Sequence, residues 1–111
     1  MTFVEIKNMI ESIGLPCTYY QFPEDKAPDP PFICYFYTAS NDFFADGINY
    51  QKIEELVIEL YTDTKDIETE LAVESVLTAS GYTWTREETP LDSERLYEVI
   101  YTLQAVITED A

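Results

Sequence analysis

Apolar residues recur at three- and four-residue spacing near the start of the chain: Phe3, Ile6, Met9, Ile10 and Ile13. That spacing puts them on one stripe of a helix. Thr2 followed by Glu5 is a capping-box pattern, in which hydroxyl and carboxylate satisfy free amides of the first turn. Gly14 can take the left-handed conformation that closes the helix. The pattern predicts a helix over 2–13. Cys17 to Phe22 is short, aromatic and bounded by prolines, which predicts a strand. Pro23 to Pro31 mixes prolines with charges and predicts an exposed connection. Phe32 to Thr38 is apolar on both faces, as a central strand covered on both sides would be. Ser40 to Gly47 predicts a loop whose tip carries Phe43 and Phe44.

Lys52 to Thr62 changes the period. Leu56, Ile58 and Leu60 face one way and Glu55, Val57 and Glu59 the other, so period two predicts a strand. Asp63 to Asp66 is polar and turns the chain. Either Asp66 or Thr64 can cap a second helix over 66–80, with Val73, Val76, Leu77 and Ser80 on one face and Gly81 at its end. Tyr82 to Glu88 and Arg95 to Ile107 predict two further strands, joined by a turn over Pro90 to Ser93. In the second, Tyr97, Val99, Tyr101 and Leu103 alternate. All six prolines fall outside the periodic stretches. The order is α-β-β-β-α-β-β. It predicts an α+β fold: one antiparallel sheet of four to five strands, with two helices packed on one face. At 111 residues the chain is expected to be a single domain over 1–111.

Charge narrows the function. Twenty-two acidic and six basic residues give a formal net charge of -16, and histidine is absent. Yet 46% of residues are hydrophobic and 14% aromatic, too much for a charged disordered tail. The acid therefore decorates a folded domain. Gripping DNA or an anionic membrane surface requires clustered Lys and Arg. Here Lys7, Lys26, Lys52, Lys65, Arg86 and Arg95 are scattered among acids. No stretch is long and apolar enough to span a membrane, and no basic leader precedes an apolar run, so a soluble, unexported protein is expected.

Candidate chemistry is sparse. Lack of histidine removes the commonest general base and the commonest transition-metal ligand. Cys17 and Cys34 are too few for a four-ligand zinc site, and whether they stay reduced or pair is open. The acidic pairs Glu24–Asp25, Glu54–Glu55, Glu87–Glu88 and Glu109–Asp110 could serve glycoside hydrolysis or a hard cation. A chain with one acid in five residues also carries such pairs simply on solvated faces. Asp42 to Gly47 lacks the ligand spacing of a calcium loop. No serine or threonine has an obvious activating base. No catalytic, cofactor-binding or metal-binding residue is expected, and the chain is read as not an enzyme. A small enzyme using a tyrosine or aspartate pair is the reading this sets aside.

Exposed hydrophobes say more. Phe43 and Phe44 sit where a monomer normally places polar residues. Either the loop folds back over them or they meet another subunit. Val57 and Tyr61 lie on the acidic side of their strand, and two short helices cannot cover both faces of a sheet. A neighbouring chain could cover the second.

Several segments, in this order, carry a resemblance: Ile10 to Pro16 (IESIGLP), Phe32 to Tyr37, Phe43-Phe44-Ala45-Asp46-Gly47, Tyr50-Gln51-Lys52-Ile53, Ile58 to Asp63 (IELYTD) and Leu96 to Tyr101. Together they span nearly the whole chain. The chain resembles the tail terminators, or tail-completion proteins, encoded among the tail genes of siphophages and prophages of Gram-positive bacteria. The resemblance implies a structural virion protein, assembled in the host cytoplasm and placed at the head–tail junction. It implies a hexameric ring that caps the tail tube, ends its polymerisation and docks on a head-completion or connector protein. The family fold, an antiparallel sheet with helices on one side, agrees with the string above. On this reading Phe43, Phe44, Ile48 and Tyr50 are candidate subunit contacts, and Glu54, Glu55 and Glu59 candidate linings of an acidic channel. Six copies of a chain at -16 gather about 96 formal negative charges on one ring. DNA would pass such a channel without sticking. Two alternatives share the size and charge: a head-completion protein, and an acidic protein that mimics DNA to block a host nuclease or repressor. Flanking genes would separate them, since a terminator sits among tail genes.

Overall fold

The computed structural model describes residues 1–40, 43–45 and 48–108, with 43–45 and 48–51 as backbone alone. Helix α1 (Phe3–Glu11) forms as its pattern predicts. Thr2 caps it, the Glu5 amide donating to Thr2 Oγ1 at 3.1 Å and the Thr2 amide to Glu5 Oε1 at 2.8 Å. Gly14 (φ +91°) turns the chain out of it. Helix α2 (Ile67–Ala79) is capped by Asp66, which accepts from the Thr69 amide at 3.0 Å, and ends at Gly81 (φ +86°).

The strands are β1 (Cys17–Tyr19), β2 (Phe32–Ser40), β3 (Phe43–Ala45), β4 (Ile48–Thr62), β5 (Thr85–Leu91) and β6 (Leu96–Ile107). Five run side by side as β1-β2-β4-β6-β5, and β3 pairs with the start of β4. The fold is α+β, two helices on one face of a sheet, in the expected order of elements with the short β3 added.

Four particulars differ from expectation. The sheet is mixed, because β1 runs parallel to β2. The connection Tyr20 to Pro31 is long enough to carry the chain back and re-enter in the same direction. Second, β1 stops at Tyr19, where Tyr20 adopts φ +70° and ends the ladder. Third, Ser40 to Gly47 is not all loop: β2 continues to Ser40, Phe43–Ala45 is strand, and β4 begins at Ile48 rather than Lys52. Positions 41, 42, 46 and 47 of that expected loop lie outside the described residues. Fourth, β5 starts at Thr85 and runs through Pro90 to Leu91, and a 3-10 turn (Asp92–Glu94) with Arg95 at φ +57° replaces the expected turn. A proline is tolerated there because β5 is the sheet edge.

The core lies between helices and sheet. Ile6, Ile10, Val73 and Leu77 from the helices meet Ile33, Leu56, Ile58, Leu60, Val99 and Tyr101 from the strands, all fully buried. Pairing of Leu56 with Leu103, Ile58 with Tyr101 and Leu60 with Val99 aligns the apolar sides of β4 and β6. A one-residue slip would turn every one of these side chains to the other face.

Candidate interaction face

The sheet's second face carries no helix. Register places on it Phe32, Cys34 and Phe36 of β2, Glu55, Val57, Glu59 and Tyr61 of β4, and Glu98, Ile100 and Thr102 of β6. Part of this face is apolar and shielded: Phe32, Cys34 and Val57 are each under a tenth exposed. The cover comes from the chain itself. The segment after β1 folds over the β2 end of the face, with the Phe22 ring 5.6 Å from Phe32 and Tyr20 6.0 Å from Phe36. Phe32 in turn stacks on Tyr61 at 5.0 Å across the β2–β4 pair. The neighbouring chain expected to cover this side is therefore not needed at this end.

Between that segment and the β6 start lies an open groove of about 340 Å³. Aromatic rings and Cys34 line it, with polar groups from Gln21, Glu59, Tyr61 and Glu94. Tyr61 Oη donates to Glu59 Oε1 at 3.1 Å. Glu98 stands directly across from Tyr61, so two carboxyls flank one phenol. Burial, and then the Glu98 charge, push the Glu59 carboxyl above its ordinary range. Burial, followed by its hydrogen bond with Glu98, pushes the Tyr61 phenol up as well.

This sets a pH dependence whose sign can be worked out. A carboxyl raised in the folded state contributes stability in full below its unfolded value, about 4.3 for glutamate. That contribution is lost as pH rises through the folded value. Glu59→Gln removes the ionised form and keeps an acceptor for Tyr61. It is expected to stabilise the protein at neutral pH by less than about 1 kcal/mol, the partly exposed carboxyl being screened by solvent. The gain should vanish toward pH 4, as thermal melts followed by circular dichroism at a series of pH values would show. Glu5, Asp66 and Glu88 act with opposite sign. Their caps and the Lys65 contact hold them below the ordinary range, so their contribution is lost as pH falls through those values.

The structure separates the acids expected to act together. Glu55 and Glu59 share the open face, where Glu55 accepts from Thr38 Oγ1 at 2.6 Å. Glu54 points to the helix-bearing face and pairs with Lys52 at 3.4 Å. Strict alternation along β4 makes any grouping of all three on one face impossible. Of the expected contact residues, Phe43 and Phe44 lie in β3 and Ile48 and Tyr50 in β4, in one antiparallel hairpin; their side chains lie outside the described residues. Cys17 and Cys34 are free thiols on opposite faces, Thr18 being the residue level with Cys34. Burial raises both thiols, which keeps them protonated and poor nucleophiles.

A second charged constellation lies on the helix side. Glu70 of α2, 2% exposed, receives Lys65 Nζ at 2.8 Å and Arg86 Nη1 at 3.1 Å. Arg86 also reaches Glu74 and Glu88, and Lys65 contacts Glu88. Tyr101 Oη donates to Glu74 Oε2 at 2.9 Å and Tyr97 Oη to Glu88 Oε1 at 2.8 Å. The cluster ties α2 to β5 and β6. Every acid in it has a cation, so its role is structural. Its signal was in the sequence: Glu70 precedes Val73 and Leu77 by three and seven residues, on the same helical stripe. Glu98 was also legible in part, since alternation in β6 puts it opposite Tyr97 and Val99.

Among the described residues no group of acids and cysteines is arranged to hold a metal ion, and no helix is long and apolar enough to cross a membrane. No protein-family model matches the sequence, and comparison with curated proteins finds no match.

Proposed function

We propose that this chain is a structural, non-enzymatic subunit of a phage tail. It is a tail terminator that closes into a hexameric ring, caps the tail tube and joins it to a head-completion or connector protein at the head–tail junction. The observation that carries the reading is the sheet face without a helix: half-buried aromatic rings beside acids that no lysine or arginine neutralises among the described residues. The long β4, with β3 folded on its start, stretches the molecule to 50 × 28 × 23 Å, a shape that presents a hairpin away from the core. The sequence resemblance supplies the family, and the net charge of -16 supplies the reason DNA would slide past. Of the acids first considered for the channel, Glu55 keeps that role on this reading. Glu59 sits among aromatic rings and Glu54 on the opposite face.

Purified protein is expected to sediment at six times the 12.8 kDa chain mass, and to bind tail tube protein when the two are mixed. Analytical ultracentrifugation and co-elution would check both. A monomer that ignores the tube protein but binds a basic host nuclease or repressor would replace this reading with the DNA mimic.

A further inference from the structure

We propose that the groove between β2 and the start of β6 is a docking site for an arginine side chain presented by a protein partner. The inference stands apart from the ring, because it concerns one chain and one groove.

The argument begins with where the cations went. Lys7 pairs with Glu11, Lys52 with Glu54, and Lys65 and Arg86 with Glu70, Glu74 and Glu88. All of these contacts lie away from the groove. Lys26 and Arg95 border it in sequence, yet neither contributes a side chain to its lining. Glu59 and Glu94 therefore line an aromatic-walled concavity, with Glu98 beside it across from Tyr61, and no lysine or arginine among the described residues lines it. Two carboxyls held against each other, one of them already half removed from water, repel. An incoming cation would relieve both at once, and its desolvation is partly prepaid.

Aromatic walls decide which cation. Phe32 and Tyr61 are stacked with a 22° angle between their planes, and both line the groove. A guanidinium is flat, weakly hydrated and able to stack on such rings while its fork reaches two carboxylates. An ammonium is compact and strongly hydrated, and uses neither feature well. A volume of about 340 Å³, at the lower end for a ligand site, suits one long side chain and its neighbours rather than a large cofactor. A second copy of this chain is the poorer occupant, since one of its two arginines, Arg86, is already held by Glu70, Glu74 and Glu88.

The test uses the full isotope-labelled chain and a small cationic probe, N-acetyl-arginine amide, with N-acetyl-citrulline amide as its neutral counterpart. In TROSY spectra the arginine probe is expected to shift the amides of Cys34, Glu59, Tyr61 and Glu98, and the citrulline probe to leave them in place. Glu59→Gln and Glu98→Gln should each weaken the response several-fold while the remaining spectrum stays unchanged. The carboxyl carbon of Glu59 should titrate lower in the arginine probe, by about one pH unit. Equal shifts from both probes would overturn the proposal. So would shifts spread over the exposed acids generally, as sodium chloride alone would give. Groove amides that move with protein concentration, and not with the probe, would make a second copy the occupant and overturn it too. Apart from that last outcome, none of these results bears on whether the chain forms a ring, which sedimentation reads separately.

Discussion

Replacing Lys65 and Arg86 together by methionine is expected to cost about 3 kcal/mol of stability, whereas Glu70→Leu should cost little or even stabilise. The asymmetry follows from burial. Glu70 is 2% exposed, and its two cations are its compensation for lost water. Lys65 lies 2.8 Å from both carboxylate oxygens; Oε2 is held by charge without a well-aligned hydrogen bond. Remove both cations and a charge is stranded under α2. Remove the carboxylate and the stranded groups are Lys65 and Arg86, whose side chains are about 40% exposed and can turn to solvent. Leucine at 70 would extend the Val73–Leu77 stripe it already occupies. Urea denaturation of the double variant, of Glu70→Leu and of the triple combination measures all three terms. The triple variant should recover most of what the double variant loses. A loss below about 1 kcal/mol in the double variant, the range of a surface pair, would mean that water reaches the carboxylate.

The helices were legible because their signals are local. Thr2, Glu5 and Gly14, or Asp66 and Gly81, act within a turn of the residues they cap. The alternation of Leu56, Ile58 and Leu60 likewise needs no partner to be read. What the sequence could not carry was direction. Cys17–Tyr19 looks the same whether its neighbour runs parallel or antiparallel, and the choice was made by the path of residues 20–31. Strand ends failed for a related reason. Tyr20 leaves β1 through a left-handed backbone that an aromatic residue rarely adopts, so nothing in its identity announces it.

The candidate site divides along the same line. Glu59 and Glu98 could each be assigned to the acidic side of its own strand. That they flank Tyr61 depends on a register in which Tyr61 meets Glu98, thirty-seven positions along the chain. Reading Glu54 beside Glu55 was a proximity in sequence that the pleat reverses, as adjacent residues in a strand point apart. The groove required a third ingredient, the fold-over of Tyr20 to Ala27, which is invisible until β1 is known to be parallel.

The Phe43→Ser, Phe44→Ser double variant is expected to stay folded and to lose the ring. The backbone of β3 pairs with residues 48–51 of β4, ahead of the stretch from Leu56 onward that supplies the core described above. Two phenylalanines buried against a neighbour contribute roughly 1.5–3 kcal/mol each, so their loss costs roughly 3–6 kcal/mol at every contact of the ring. A closed ring repeats that loss at each of its joints, so assembly should fail outright at concentrations where the native chain closes. Charge opposes the same contacts. Subunits at -16 repel, and raising salt from physiological strength to 1 M shortens the screening length from about 8 Å to about 3 Å. Ring formation by the native chain should therefore rise with salt, while the variant should stay monomeric at every salt concentration. Sedimentation at low and high salt, with circular dichroism of the variant, reads both effects. A variant that still forms hexamers would remove β3 from the interface. A native ring that dissolves in salt would mean that attraction between unlike charges, and not apolar contact against repulsion, holds the subunits together.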